Sequence, residues 1–159
     1  MSTSPKFVYV TLIATTPEKL WKALTDADFT SQYFFGTRLE SDWGVGSRYV
    51  FRTPDCITNE GTILRAEPPR FLSYTFHHIS DEEMRKEPPS RVTFEIESLV
   101  DGSDLSGPVV RLTVTHEDFP PESKVFPAIS KGWPSILSGL KTLLETGKPL
   151  DVQKKAIRA

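Results

Sequence analysis

The apolar positions of the C-terminal third recur at helical spacing. Between Pro121 and Gly147, Phe126, Ile129, Trp133, Ile136, Leu137, Leu140 and Leu144 follow one another mostly by threes and fours, while Lys124, Lys131, Ser135, Ser138 and Glu145 fall on the other side. This pattern predicts one long amphipathic helix. At about 1.5 Å per residue it is on the order of 35 Å long, enough to cross the concave face of a sheet. Pro134, beside Gly132, interrupts the pattern. A proline in a helix interior costs about 3 kcal/mol, so the helix either kinks there or restarts with Pro134 in its first turn after a shorter segment from Glu122. Thr146-Gly147-Lys148-Pro149 supplies the stop, with glycine just past the end and proline beyond it.

Ahead of this helix the pattern changes to alternation. Phe7 to Ile13 is a β-branched and aromatic run that reads as a first strand. Thr16-Pro17-Glu18 then opens a short helix through Leu24, combining a capping side chain, a proline at the first helical position and an acid at the positive end. Asp26 or Asp28 caps a second short helix that Gly36 stops. Strands follow over Thr37 to Asp42, Arg48 to Thr53, Thr58 to Ala66, Phe71 to His78, Arg91 to Leu99 and Val109 to Glu117. In the last two, Val92, Phe94, Ile96 and Val110, Leu112, Val114 alternate with polar residues, giving one dry and one wet face, as antiparallel sheets permit. Trp43-Gly44-Val45-Gly46, Pro68-Pro69-Arg70 and Asp101-Gly102-Ser103-Asp104 carry turn chemistry. Ser80 to Pro89, charged and ending in two prolines, reads as an exposed, mobile excursion, and Leu150 to Ala159 as a loosely held tail. The expected architecture is α+β: a curved antiparallel sheet of six to seven strands wrapped on the C-terminal helix, with two short helices after the first strand.

Composition narrows the class. At 159 residues, 38% of them hydrophobic, the chain suits one domain with one substantial core, expected over 1–159 with its core at 6–148 and the tail at 149–159. A formal charge of −2 provides no field for a polyanion or an acidic membrane surface, so nucleic acid is not expected as a partner. No stretch reaches the roughly 20 apolar residues of a membrane span, and Met1 to Lys6 has no secretory signal, so membrane insertion is not expected and a cytoplasmic location is. Cys56 is the single cysteine, which excludes an internal disulfide and a thiolate-rich metal site.

The order of elements resembles the START-like, or birch-pollen-allergen-like (SRPBCC), helix-grip fold. Thr16-Pro17-Glu18-Lys19-Leu20-Trp21-Lys22-Ala23-Leu24-Thr25-Asp26, Tyr33-Phe34, Trp43 to Arg48, Gly61, Pro68 to Leu72, and Gly132-Trp133-Pro134-Ser135-Ile136-Leu137 through Leu143 to Gly147 are similar to bacterial members of one subfamily. That subfamily is named after activators of the ATPase of the ninety-kilodalton heat-shock chaperone. The match covers about residues 6 to 148. The resemblance implies a cavity between sheet and long helix that takes lipids, sterols, polyketides or other apolar molecules across the superfamily, no cofactor, and a possible chaperone partner.

Strand parity places Tyr49, Phe51, Leu72, Tyr74, Phe76, Phe94 and Leu112 on the dry face, joined by Phe126 and Trp133 from the helix. Each is a core residue first, and a ligand contact only where the helix leaves space over the curved sheet. Tyr49 and Tyr74 are the candidate polar groups of such a cavity, since a buried phenol needs a partner. His77 and His78 are adjacent in a strand and leave opposite faces; His78 and His116 share inward parity and would form an acid-base pair if they met. A pair without a third ligand does not make a zinc site, and no metal is expected. Gly44-Val45-Gly46 precedes a strand rather than a helix, which is a hairpin turn and not a phosphate loop. No Gly-x-Ser-x-Gly elbow supports a nucleophile.

The expected function is therefore non-enzymatic binding of a small hydrophobic molecule by Tyr49, Phe51, Tyr74, Phe76, His78, Phe94, His116, Phe126 and Trp133, with no catalytic residue assigned. A cyclase- or hydrolase-like enzyme using His78, His116 or Tyr74 is one alternative, and a chaperone-regulating interaction module the other. Monomer and dimer are both open.

Overall fold

The computed structural model describes residues 5–99 and 107–150. The expected turn at Asp101-Gly102-Ser103-Asp104 and most of the expected tail lie outside the described residues. The chain runs β1 (Phe7–Ile13), α1 (Pro17–Thr25), α2 (Ala27–Tyr33), β2 (Arg38–Ser41), β3 (Arg48–Arg52), β4 (Ile57–Glu67), β5 (Phe71–His78), α3 (Glu82–Arg85), β6 (Ser90–Ser98), β7 (Val110–Glu117) and α4 (Val125–Thr146). The strands form one antiparallel sheet in the order β1-β7-β6-β5-β4-β3-β2. Register shifts between Phe51 and Arg52 and between Ile63 and Arg65 mark irregularities that increase local twist and help curve the sheet.

Local chemistry accounts for the short helices. Thr16 accepts from the Lys19 N–H and Pro17 opens α1; Asp26 accepts from the Asp28 N–H to start α2. Phe35 and Gly36, both at positive φ, turn the chain out of α2 into β2. Buried Thr30 fastens the two, its hydroxyl accepting from the Leu39 N–H at 2.9 Å, and the Tyr33 hydroxyl donates to the Ala23 carbonyl at 2.7 Å.

The long helix is continuous through Pro134 and does not restart there. It begins at Val125 rather than Pro121, spans about 33 Å, and ends as expected with Gly147 left-handed and donating to the Leu143 carbonyl. Its buried face is Val125, Trp133, Ile136, Leu137, Gly139, Leu140 and Leu143, lying against the concave sheet. Full burial of each large apolar side chain contributes roughly 1.5–3 kcal/mol. Leu143, not Leu144, completes that stripe; Leu144, Phe126 and Ile129 are half-buried.

Gly61 shows how tightly the sheet is folded on itself. The Tyr49 ring crosses it to donate its hydroxyl to the Thr75 carbonyl at 2.6 Å. A Cβ at Gly61 would collide with that carbonyl oxygen and lie 2.6 Å from the ring.

Ser80 to Pro89 is exposed over most of its length, as expected, but it is anchored to the core and to α4 rather than loose. Asp81 accepts from the N–H groups of Glu83 and Met84 to start α3, and Met84 packs on the core. Glu87 then reaches the start of α4, accepting from the Ser123 hydroxyl and the Lys124 N–H at 2.6 Å each and from the Val125 N–H at 3.3 Å. Lys124 has no capping side chain of its own, so the helix takes its anion from 37 residues upstream. One apolar residue among charges hid this segment's anchorage from the hydropathy pattern.

Candidate functional site

Between α4 and the middle of the sheet lies a cavity of about 180 Å³. Phe76 and His78 of β5 and Asn59 of β4 form its sheet wall; Val125, Ile129, Trp133 and Ile136 of α4 form the opposite wall. Phe34 and Phe35, from the end of α2, and Met84 of α3 close the sides, with exposed Ala128 at the rim. The lining is apolar except for Asn59 and His78, a composition typical of small-molecule pockets, while the volume is below their usual range of about 300–1,000 Å³.

Of the nine residues expected to bind ligand, Phe76, His78 and Trp133 line this cavity. Tyr49, Phe51, Tyr74 and Phe94 instead make up a packed aromatic cluster: Tyr49 lies 4.6 Å from Tyr74 and 5.7 Å from Phe51 between ring centroids, and Tyr74 5.8 Å from Phe94. The adjoining void at Tyr74, Phe94 and Leu140 measures about 10 Å³, no larger than a water site. Phe126 packs edge-on against Phe119 at 5.1 Å. Tyr49 and Tyr74 do not supply the cavity's polar groups; burial pushes both phenols up from their ordinary pKa, keeping them neutral. Asn59, Phe34, Phe35 and Met84 were not singled out from sequence. Asn59 sits on the dry face of β4, so a polar residue at a core-parity position was the available signal.

The two inward histidines have separate environments. His116 is fully buried: the Trp133 indole donates to its Nδ1 at 3.0 Å, and its Nε2 lies 2.7 Å from the Ser90 hydroxyl. An indole N–H can only donate, so Nδ1 accepts and the proton sits on Nε2. Ser90 passes the chain on, donating to the Phe76 carbonyl at 3.3 Å. Trp133, His116, Ser90 and Phe76 thus form one directional, satisfied network from α4 through β7 and β6 to β5. Burial lowers the His116 pKa to about 3. His78 is half-buried, with Nδ1 on the Asn59 amide at 3.0 Å and Nε2 on the Ser80 hydroxyl at 3.1 Å. Its pKa is lowered by desolvation, against an upward pull from Asp81. His77 leaves the other face and meets the Arg85 carbonyl. The condition for an acid-base pair, that His78 and His116 meet, is not fulfilled in the cavity, which only His78 of the two lines.

A larger groove of about 620 Å³ runs over the outer face, between Pro17 and the strands β4 to β7. Its arginines already carry carboxylate partners: Arg65 and Arg70 pair with Glu67, and Arg111 with Glu97 at 3.0 Å. Elsewhere on the outer face, Val8, Val10 and Leu12 of edge strand β1 are about half exposed. Among the described residues no group of three or more His, Cys, Asp or Glu side chains is placed to hold a metal ion, and no helix is long and apolar enough to cross a membrane.

A curved antiparallel sheet closed over a long C-terminal helix, with two short helices after the first strand and an apolar cavity at the seam, defines a helix-grip protein of the START-like superfamily. Residues 14–145 match the family described as Activator of Hsp90 ATPase homolog 1-like protein, and the chain belongs to that family. Among solved structures, it is similar to protein MLL2253 from Mesorhizobium loti, with 24% identity, 88% of this chain and 96% of that chain covered, and a TM-score of 0.71. It is also similar to the Aha1 dimer from Colwellia psychrerythraea (19% identity, 91% and 98% covered, TM-score 0.68). A third is PFC0360w, an HSP90 activator from Plasmodium falciparum (21% identity, 87% and 95% covered, TM-score 0.68). At these identities the structural likeness shows the fold. No curated protein matches by sequence.

Proposed function

We propose that this chain acts as a single START-like unit that binds a small apolar molecule, without covalent chemistry, in the cavity between α4 and the sheet, and works in the cytoplasm. The observation that carries the reading is an apolar space of about 180 Å³ beside an otherwise tightly packed aromatic core. A cyclase- or hydrolase-like reaction has less support, because His116 is spent on Trp133 and Ser90. Native mass spectrometry of the purified protein is expected to show a small molecule retained by the wild type and lost in Gly132→Leu. Gly132 lines the cavity, and a Cβ there meets only the Phe35 ring, at 3.7 Å and beyond. A longer side chain would therefore occupy the ligand space. Retention by both proteins alike would refute this location.

Interaction with a chaperone is the second reading. It is favoured by the exposed Val8, Val10 and Leu12 on β1, an edge strand with no charged residue that pairs with β7 on one side and, among the described residues, with no strand on the other, and by the names of the Plasmodium and Colwellia relatives. Stimulation of chaperone ATPase by the wild type, lost on Val10→Lys, is the expected result; no stimulation excludes it.

A further inference from the structure

The cavity's size restricts what it can take. An apolar cavity of about 150 Å³ admits benzene. A space of about 180 Å³ therefore encloses one ring with one or two further heavy atoms, and a sterol or a long acyl chain would extend beyond it. Its walls suit a flat ring, with Phe76 on the sheet side, Ile129, Trp133 and Ile136 on the helix side, and Phe34 between them.

Its polarity restricts the choice further. Asn59 is 7% exposed and stands opposite His78 in the β4–β5 register. Its amide nitrogen is engaged with His78 Nδ1, and His78 Nε2 with Ser80, so both nitrogens of the imidazole are taken. Among the described residues no group meets Asn59 Oδ1. This carbonyl is an open acceptor in an apolar chamber, and the amide keeps a second N–H. A hydroxyl, which both donates and accepts, matches that capacity. An anion does not: no lysine or arginine lines the cavity, and the positive end of α4, whose Val125 is part of the wall, already carries the Glu87 carboxylate. A carboxylate entering here would surrender its hydration without a partner.

We propose that the cavity selects a neutral, single-ring molecule bearing one hydroxyl, which donates to Asn59 Oδ1. The inference rests on the binding reading above and assigns its ligand class. The test titrates the isotope-labelled full chain with p-cresol, toluene, p-toluate and laurate at neutral pH. Binding is followed through the Asn59 side-chain amide, the Trp133 indole and the Ile129 and Ile136 methyl signals. p-Cresol is expected to bind on the order of ten-fold more tightly than toluene, the ratio a well-placed hydrogen bond supplies, and at least as far ahead of p-toluate and laurate. In Asn59→Leu, p-cresol and toluene bind alike. Equal affinity for p-cresol and toluene in the wild type, or preference for either carboxylate, overturns the ligand class and leaves the cavity reading standing. No shift of the Trp133 and isoleucine signals with any probe overturns both. The wild-type ranking decides the matter even where Asn59→Leu does not fold.

Discussion

Lowering the pH is expected to weaken the fold through His116, by an amount that the buried network sets. In the folded chain the imidazole accepts from Trp133 and gives its proton to Ser90, so a second proton on Nδ1 would face an indole N–H with nowhere to go. Burial accordingly takes its pKa from 6.5 to about 3. The unfolded chain binds a proton below pH 6.5 that the folded chain refuses until about pH 3. Unfolding is therefore favoured progressively as pH falls through that window, with a limiting slope of about 1.4 kcal/mol per pH unit. Between pH 7 and pH 5 the loss assigned to this one side chain is about 2 kcal/mol. Urea unfolding of the wild type and of His116→Gln at both pH values isolates it, because His77, His78 and the carboxylates are common to both proteins and cancel in the difference. His116→Gln is expected to start about 1–3 kcal/mol less stable at pH 7, having lost a buried hydrogen-bond arrangement, and to fall by about 2 kcal/mol less than the wild type on acidification. An equal fall in both proteins would refute the claim that His116 is held neutral by its burial and its partners.

Two further outcomes follow from the packing. Glu87→Ala removes the carboxylate from the N-terminus of α4 and is expected to cost about 1–2 kcal/mol, with faster hydrogen exchange at Val125 and Phe126; unchanged exchange there would show that the helix start does not depend on Glu87. Gly61→Ala forces a methyl group against the Thr75 carbonyl and the Tyr49 ring and is expected to cost about 3 kcal/mol by thermal unfolding, whereas a change below about 0.5 kcal/mol would mean the sheet yields freely at that point.

Periodicity and end signals were sufficient for the framework of this protein. The helical stripe through Trp133 and Leu140, the alternation in β6 and β7, the caps at Thr16 and Asp26 and the stop at Gly147 are local statements, each decided by residues within a turn or two of one another. The family was legible for the same reason, since its motifs are caps, turns and core positions in a fixed order. The site depended on what meets across the fold. Parity put Tyr49, Tyr74, Phe94 and His116 on the correct face, but only three-dimensional packing decides whether an inward side chain touches a neighbour or a void. Pro134 could be accommodated without a restart because its helix is held along its length by the sheet, a contribution no local propensity contains. Glu87 at the start of α4 and Asn59 opposite His78 are pairings between residues far apart in the chain. Hydropathy reads each position against its sequence neighbours, and these partners become neighbours only when the strands are in register and the helix is in place.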